Sequence, residues 1–294
     1  MVSVRGKVTL KRLGRKSFLR TNLSHTTLRC ALHPRIMPEL PEVESAARFL
    51  DAAIRGRILR ALQWLHPSLQ RAGADRAARL IGLRVERVTR VAKWQEIRFA
   101  DGAILVVHFR MTGDWSVTRS PIAPRHARAH LTFSGGRHLW LVDPRVLSRI
   151  EVRAAGEASR ADVGPDAIDP ALDANTLRAR FAARRAPIKQ VLLDQSVIAG
   201  VGNIYAAEAL WHARIDPRTP ARQLSLERVE RVLVGIRWTM GLAFEELGRQ
   251  RYGESLDRLV AYDREGKPCQ RCGTLIARIA QGQRSTYFCR RCQR

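Results

Sequence analysis

Two cysteine pairs, Cys269-Gln270-Arg271-Cys272 and Cys289-Arg290-Arg291-Cys292, constrain the fold more than any other feature of this sequence. Sixteen residues separate them. Two C-x-x-C pairs at such spacing can close four thiolates around one tetrahedral metal ion. Free thiols or a redox pair is the competing and weaker reading. A closed four-thiolate site leaves no open position, so a zinc ion here folds the module and does not catalyse. The fifth cysteine, Cys30, stands alone. This usage is metal binding, not a disulfide framework, and it points to a reducing, cytoplasmic interior.

Charge narrows the partners. The 294 residues carry 52 Lys and Arg against 27 acidic residues, a formal net charge of +25. Such an excess speaks of nucleic acid first and an anionic surface second. No apolar run is long enough to span a membrane. Residues 1–36 hold nine Lys or Arg and no acid, and without them the charge is still +16. This leader reads as a translated upstream region with the start at Met37, as a transit peptide, or as a basic arm for DNA. The first reading is preferred.

The hydrophobic period changes along the chain. Val43, Ala46, Ala47, Leu50, Ala53 and Ile54 recur at helical spacing after Pro41, and Gly56 ends that helix. Short alternating runs follow at 57–64, 83–91, 96–99, 104–109, 129–133, 138–142 and 147–152, which predicts a β-sandwich or barrel-like unit. Residues 154–170, rich in Ala, Gly, Asp and Pro, read as a linker. Helical spacing then returns at 175–183 with Asp173 as cap, and at 188–193, 204–213 and 226–247. The glycines of Gly200-Val201-Gly202-Asn203 would let backbone N–H groups approach phosphate, or serve ordinary turn geometry.

Met37-Pro38-Glu39-Leu40-Pro41-Glu42-Val43-Glu44 makes chemical sense as a beginning. A free α-amine titrates near about 8, so a terminal Pro38 nitrogen could attack an aldehyde-type carbon and form an iminium. Glu39 and Glu42 could then move protons. The bland reading is a helix start, where proline and glutamate are both at home.

These eight residues, Gly200-Val201-Gly202-Asn203-Ile204-Tyr205-Ala206 and the four-cysteine terminus, in this order, resemble the bacterial formamidopyrimidine-DNA glycosylase family (Fpg/Nei) from Met37 to Arg294. The resemblance implies an α+β multidomain fold: an N-terminal β-sandwich with flanking helices, a helix–two-turn–helix domain and a C-terminal four-cysteine zinc finger. Expected boundaries are a leader over 1–36, the catalytic sandwich over 38–153, the linker over 154–170, the DNA-binding helices over 171–260 and the finger over 261–294. It implies a base-excision-repair glycosylase with AP lyase activity that releases oxidised purines and cuts by β- and δ-elimination. The lesion must leave the stack for this chemistry. Pro38 is similar to the family nucleophile, Glu39 to its acid, Lys93 to the β-elimination lysine and Arg284 to the δ-elimination arginine. Met111, His126, Arg145, Leu147, Arg184 and Asn203 match DNA-contacting positions. Cys269, Cys272, Cys289 and Cys292 would hold one structural zinc ion, with no organic cofactor. The partner is double-stranded DNA carrying oxidised bases or abasic sites, bound by a monomer at a bacterial nucleoid, with no membrane.

Three departures stand out. The family's Asp-Pro-Arg-Arg-Phe-Gly is Asp143-Pro144-Arg145-Val146-Leu147-Ser148 here, Arg110 replaces a usual glycine, and Gly241–Arg264 is short. They suggest altered lesion recognition, with a broader or pyrimidine-tolerant range. A Nei-like pyrimidine enzyme and a non-catalytic damaged-DNA binder are the alternatives.

Overall fold

The structure, a computed structural model, describes residues 28–29, 38–70, 74–157, 162–248 and 259–294. The leader and Met37 therefore lie outside it, apart from the two-residue strand β1 (Leu28–Arg29), as does most of the segment after Gly248.

Two antiparallel sheets face each other. One has the order β1-β6-β8-β7-β2, with β2 at Leu59–Trp64, β6 at Asp114–Thr118, β7 at Ala127–Phe133 and β8 at Arg137–Val142. The other has the order β3-β4-β5-β9, at Val85–Val91, Trp94–Phe99, Ile104–His108 and Arg149–Arg153. Alternate residues point inward, so Trp115, Leu131, Leu139 and Leu141 meet Ile97, Phe99, Leu105 and Ile150 in one core. Short helices α2 (Pro67–Gln70) and α3 (Ala74–Ala78) follow β2. The sequence expectation missed β6, began β4 two residues late, and ran β9 from Leu147, which lies instead in the turn before it.

Helix α1 (Leu40–Ile54) joins this core to a second one. Ala46, Ala47, Leu50 and Ile54 pack into the sandwich. Burying a side chain such as Leu50 or Ile54 contributes about 1.5–3 kcal/mol. Leu40, at the start of the helix, packs instead with Val201, Tyr205 and Leu210. That second core is built by α4 (Ala174–Ala182), α5 (Ile188–Leu193), α6 (Asn203–Ala213) and α7 (Leu226–Gly248). Asp173 caps α4 as expected, accepting from the Thr176 amide at 2.8 Å. Strands β10 (Ala277–Gln281) and β11 (Arg284–Phe288) form a hairpin between the cysteine pairs. No described helix is long and apolar enough to cross a membrane.

Candidate active site and metal centre

Because α1 begins at the junction of the two cores, the residues just before it are buried there. Pro38 is buried, and Glu39 is 0 % exposed. The Glu42 carboxylate accepts the Glu39 amide at 2.9 Å and also the Tyr205 hydroxyl, tying the start of α1 to α6. Glu39 Oε1 accepts from the Ile204 amide at 3.0 Å and Oε2 from the Tyr205 amide at 3.3 Å. The N-terminus of α6 therefore holds a carboxylate of this chain, where the glycine-rich turn suggested a phosphate. Burial pushes the Glu39 carboxyl above its ordinary pKa, and neighbouring Glu42 adds to this. Lys93 and the two amides oppose the rise without cancelling it.

Lys93 sits in the two-residue turn between β3 and β4, where Ala92 takes a left-handed φ of 52°. The runs expected at 83–91 and 96–99 leave it between two strands, and the structure closes that gap to a tight turn. Burial of its ammonium lowers the Lys93 pKa, against the attraction of Glu39 and Glu42, and the charge of Arg284 lowers it further. Gly202 shows how close the groups come. A Cβ there would overlap both the Glu39 carboxyl and the Lys93 amine, so only glycine leaves room between them.

Arg284 is exposed at the start of β11. Its hairpin is fastened by Lys189 of α5, a fully buried lysine that donates to the Ser285 carbonyl at 2.9 Å and the Thr286 hydroxyl at 2.7 Å. Burial holds Lys189 well below the lysine range, at about 8. Sequence reasoning missed this residue: in Ile188–Leu193 it looks like the polar face of a helix. Asn203 opens α6 at 9 % exposure, and its buried Oδ1 has no partner among the described residues. Residues 38–39, 93, 202–205 and 284 thus converge from four separate stretches.

Met111, His126, Arg145 and Leu147 lie on loops at one end of the sandwich. Met111 is 40 % and Leu147 38 % exposed, and Arg145 Nη1 rests 3.5 Å from Met111 Sδ. Arg184, by contrast, is ion-paired with Asp194 at 3.2 Å. Among the described residues, no contact joins it to the others.

The four cysteine sulfurs lie within 4.8 Å of one another, with Cys269 and Cys292 at 4.0 Å and Cys272 and Cys289 at 3.5 Å. Zinc–thiolate bonds of about 2.3 Å imply tetrahedral edges of about 3.8 Å, so the set fits one zinc ion. Trp211 Nε1 donates to Cys269 Sγ at 3.4 Å, a supporting contact of the kind that tunes metal thiolates. Arg271 lies over the Trp211 ring at 3.7 Å and donates to the His212 carbonyl at 3.1 Å. It braces the finger against α6.

Comparison with known proteins agrees with this architecture. The formamidopyrimidine-DNA glycosylase N-terminal domain matches residues 37–150, its H2TH domain residues 163–251, and a zinc finger found in FPG and IleRS residues 266–294. The formamidopyrimidine-DNA glycosylase of Chloroflexus aurantiacus is 39% identical over 271 residues, covering 87% of this chain and 98% of that protein. The Sphingopyxis alaskensis enzyme is 36% identical, covering 88% and 100%. A Lactococcus lactis Fpg structure, bound non-covalently to DNA with an AP site, superposes with a TM-score of 0.80 at 27% identity over 87% of this chain and all of that one. A MutM complex with DNA carrying carbocyclic 8-oxo-G gives a TM-score of 0.80 at 28% identity, covering 87% and 100%. Sandwich, helical domain, thiolate finger and buried acid–amine pair together define a DNA glycosylase that is also a lyase. The chain belongs to the formamidopyrimidine-DNA glycosylase family, whose finger carries one structural zinc ion.

Proposed function

We propose that this chain repairs oxidised purines in double-stranded DNA, releasing 8-oxoguanine and formamidopyrimidines and then cutting the strand at the abasic site. The observation that carries this reading is that the buried Glu39 carboxyl, next in the chain to Pro38, has a raised pKa and shares the space over Gly202 with the Lys93 amine. A carboxyl whose pKa is raised by burial holds its proton more tightly than an ordinary glutamate and can give it to the sugar ring oxygen as that ring opens. The Pro38 amine attacks C1′, the base leaves with a proton, and the resulting iminium draws electrons from C2′ once a proton is removed there. The 3′ phosphate then departs by β-elimination and the 5′ phosphate by δ-elimination. Lys93, with its lowered pKa, has an amine that can carry such protons, and Arg284 can hold the phosphate. Met111 and Leu147 fill and wedge the gap left by the extruded nucleotide; Arg145, His126, Arg184 and Asn203 hold bases and backbone.

This chemistry needs Pro38 nitrogen as an amine, not an amide, so the active form begins at Pro38, with residues 1–37 absent or removed. The working parts are the sandwich over 38–153, the helices over 171–260 and the finger over 261–294. A DNA substrate of this kind places the enzyme in the cytoplasm, at the nucleoid. A panel of duplexes carrying 8-oxoguanine, formamidopyrimidine or thymine glycol tests the substrate class. Release of the two purine lesions with strand cleavage is expected. Release of thymine glycol alone would overturn the purine assignment.

A further inference from the structure

The four candidate DNA contacts of the sandwich sit on three loops far apart in sequence: 109–113 between β5 and β6, 119–126 between β6 and β7, and 143–148 between β8 and β9. Each loop has one non-glycine residue in the left-handed region: Arg110 at φ 57°, His126 at 67° and Val146 at 58°. A β-branched residue such as Val146 rarely adopts that conformation, so something holds it there.

Beneath all three loops lies Asp143, 0 % exposed. Its Oδ1 accepts from the Thr112 hydroxyl and from the Arg145 amide at 3.1 Å. Its Oδ2 accepts from the Leu147 amide at 2.7 Å and from both the amide and hydroxyl of Ser148, at 2.7 and 2.8 Å. Its backbone amide donates to the His126 carbonyl at 3.0 Å, and its carbonyl accepts from Arg128 Nε at 2.7 Å. Burial alone would raise this carboxyl, but the donors from Thr112, Ser148 and Leu147 outweigh it and leave the pKa lowered. The group therefore stays charged at neutral pH and keeps accepting. A loop brace alone would need only the bonds to residues 145–148. The Thr112 bond does something else: it fastens the Met111 loop to the Arg145–Leu147 loop, so that an exposed methionine, an exposed leucine and an arginine stand on one support.

We propose that Asp143, acting through Thr112, is the positioning residue that makes the Met111, His126 and Arg145–Leu147 loops enter the DNA stack as a single preformed unit. This rests on reading those loops as DNA contacts. A rigid probe does not have to order its side chains on binding, so more of its contact energy goes into unstacking.

The test uses protein beginning at Pro38, the form proposed to be active, and a duplex holding a tetrahydrofuran abasic analogue, with 2-aminopurine beside the base opposite it. Unstacking raises 2-aminopurine fluorescence, and affinity is read separately on an undamaged duplex. Thr112→Val should lower the fluorescence rise at least threefold, with affinity for undamaged duplex within twofold of the parent. Thr112→Ser should restore the rise, and Asp143→Asn should lose it. Thr112→Val exchanges one hydroxyl for a methyl, so it decides the matter even if Asp143→Asn does not fold. Met111→Ala probes the underlying reading. If Met111→Ala loses the rise while Thr112→Val keeps it, the positioning role is overturned and the DNA-contact reading stands. If Met111→Ala and Thr112→Val both keep it, or the parent protein gives no rise, the reading of these loops fails and the proposal with it.

Discussion

Glu39 is a single residue with two duties that pull against each other. Its carboxyl anchors the first amides of α6, which favours the charged form, while burial favours the neutral one and prevails. A carboxyl whose pKa is raised on folding stabilises the protein fully below its unfolded value, and that stability is lost as pH rises through the folded value. The Glu39 contribution to unfolding free energy should thus fall as pH rises above 4.5, and Glu39→Gln should remove that part of the slope in denaturant titrations. The same variant should slow base release by about a hundredfold or more, the usual weight of a positioned acid. A full release rate in Glu39→Gln would remove the carboxyl from the chemistry. Val146 carries strain of another kind. Val146→Asn, which tolerates φ near 58°, should gain about 1 kcal/mol in unfolding free energy; a loss would mean that the valine side chain is held by packing. Individual residues were unevenly legible in the sequence. Glu42 at the third helical position could be read as a capping residue, and Pro38 and Glu39 stood out by chemistry. Lys93 could be placed between two strands, but its burial beside Glu39 could not be foreseen, because Glu39 lies far away in the sequence. Lys189 could not either, since its partners lie about a hundred residues away in the finger.

At the scale of elements, local pattern found most of what local forces determine. α1, α4 to α7 and most strands of the sandwich follow from period and punctuation. β6 was missed because Asp114–Thr118 is short and shows only Trp115 and Val117 as inward residues; pairing with β8 creates the strand. The hairpin of β10 and β11 was hidden among polar and arginine-rich residues, since its stability comes from the metal site and from Lys189. That dependence predicts that Cys272→Ser, or zinc chelation, will unfold the finger and release the cluster of Trp211, Ile276 and Tyr287. DNA affinity should fall, and with it the steepness of its salt dependence. An unchanged salt slope would place the finger off the DNA surface. Lys189 supplies a second check on the same hairpin. Its folded pKa of about 8 lies below the ordinary 10.5, so the unfolded chain binds more protons between those values. Stability should rise with pH across about 8 to 10.5, and Lys189→Met should abolish that rise. A slope that persists in Lys189→Met would assign it to another group.

Across the whole molecule, α1 is the hinge-pin of the design: Leu40 belongs to the helical core, while Leu50 and Ile54 belong to the sandwich. The chain segment that enters it, Pro38-Glu39, is therefore held by both halves at once, which suits the nucleophile role proposed for Pro38. The fold and family were legible because three spaced motifs mark the three parts of the chain. The junction geometry was not, since it depends on contacts between residues 39 and 204–205, far apart in sequence. The charge of +25 supplies long-range attraction to DNA but says nothing of chemistry. The proposed chemistry stands on one atom, the Pro38 nitrogen. Borohydride reduces an iminium to a stable amine, so trapping on an 8-oxoguanine:cytosine duplex reads that atom directly. Protein beginning at Pro38 should give a covalent protein–DNA band, and the same protein acylated on Pro38 should bind DNA without one. A band of equal strength from the acylated protein, or none from the free amine with binding intact, would contradict the assignment of Pro38 as nucleophile.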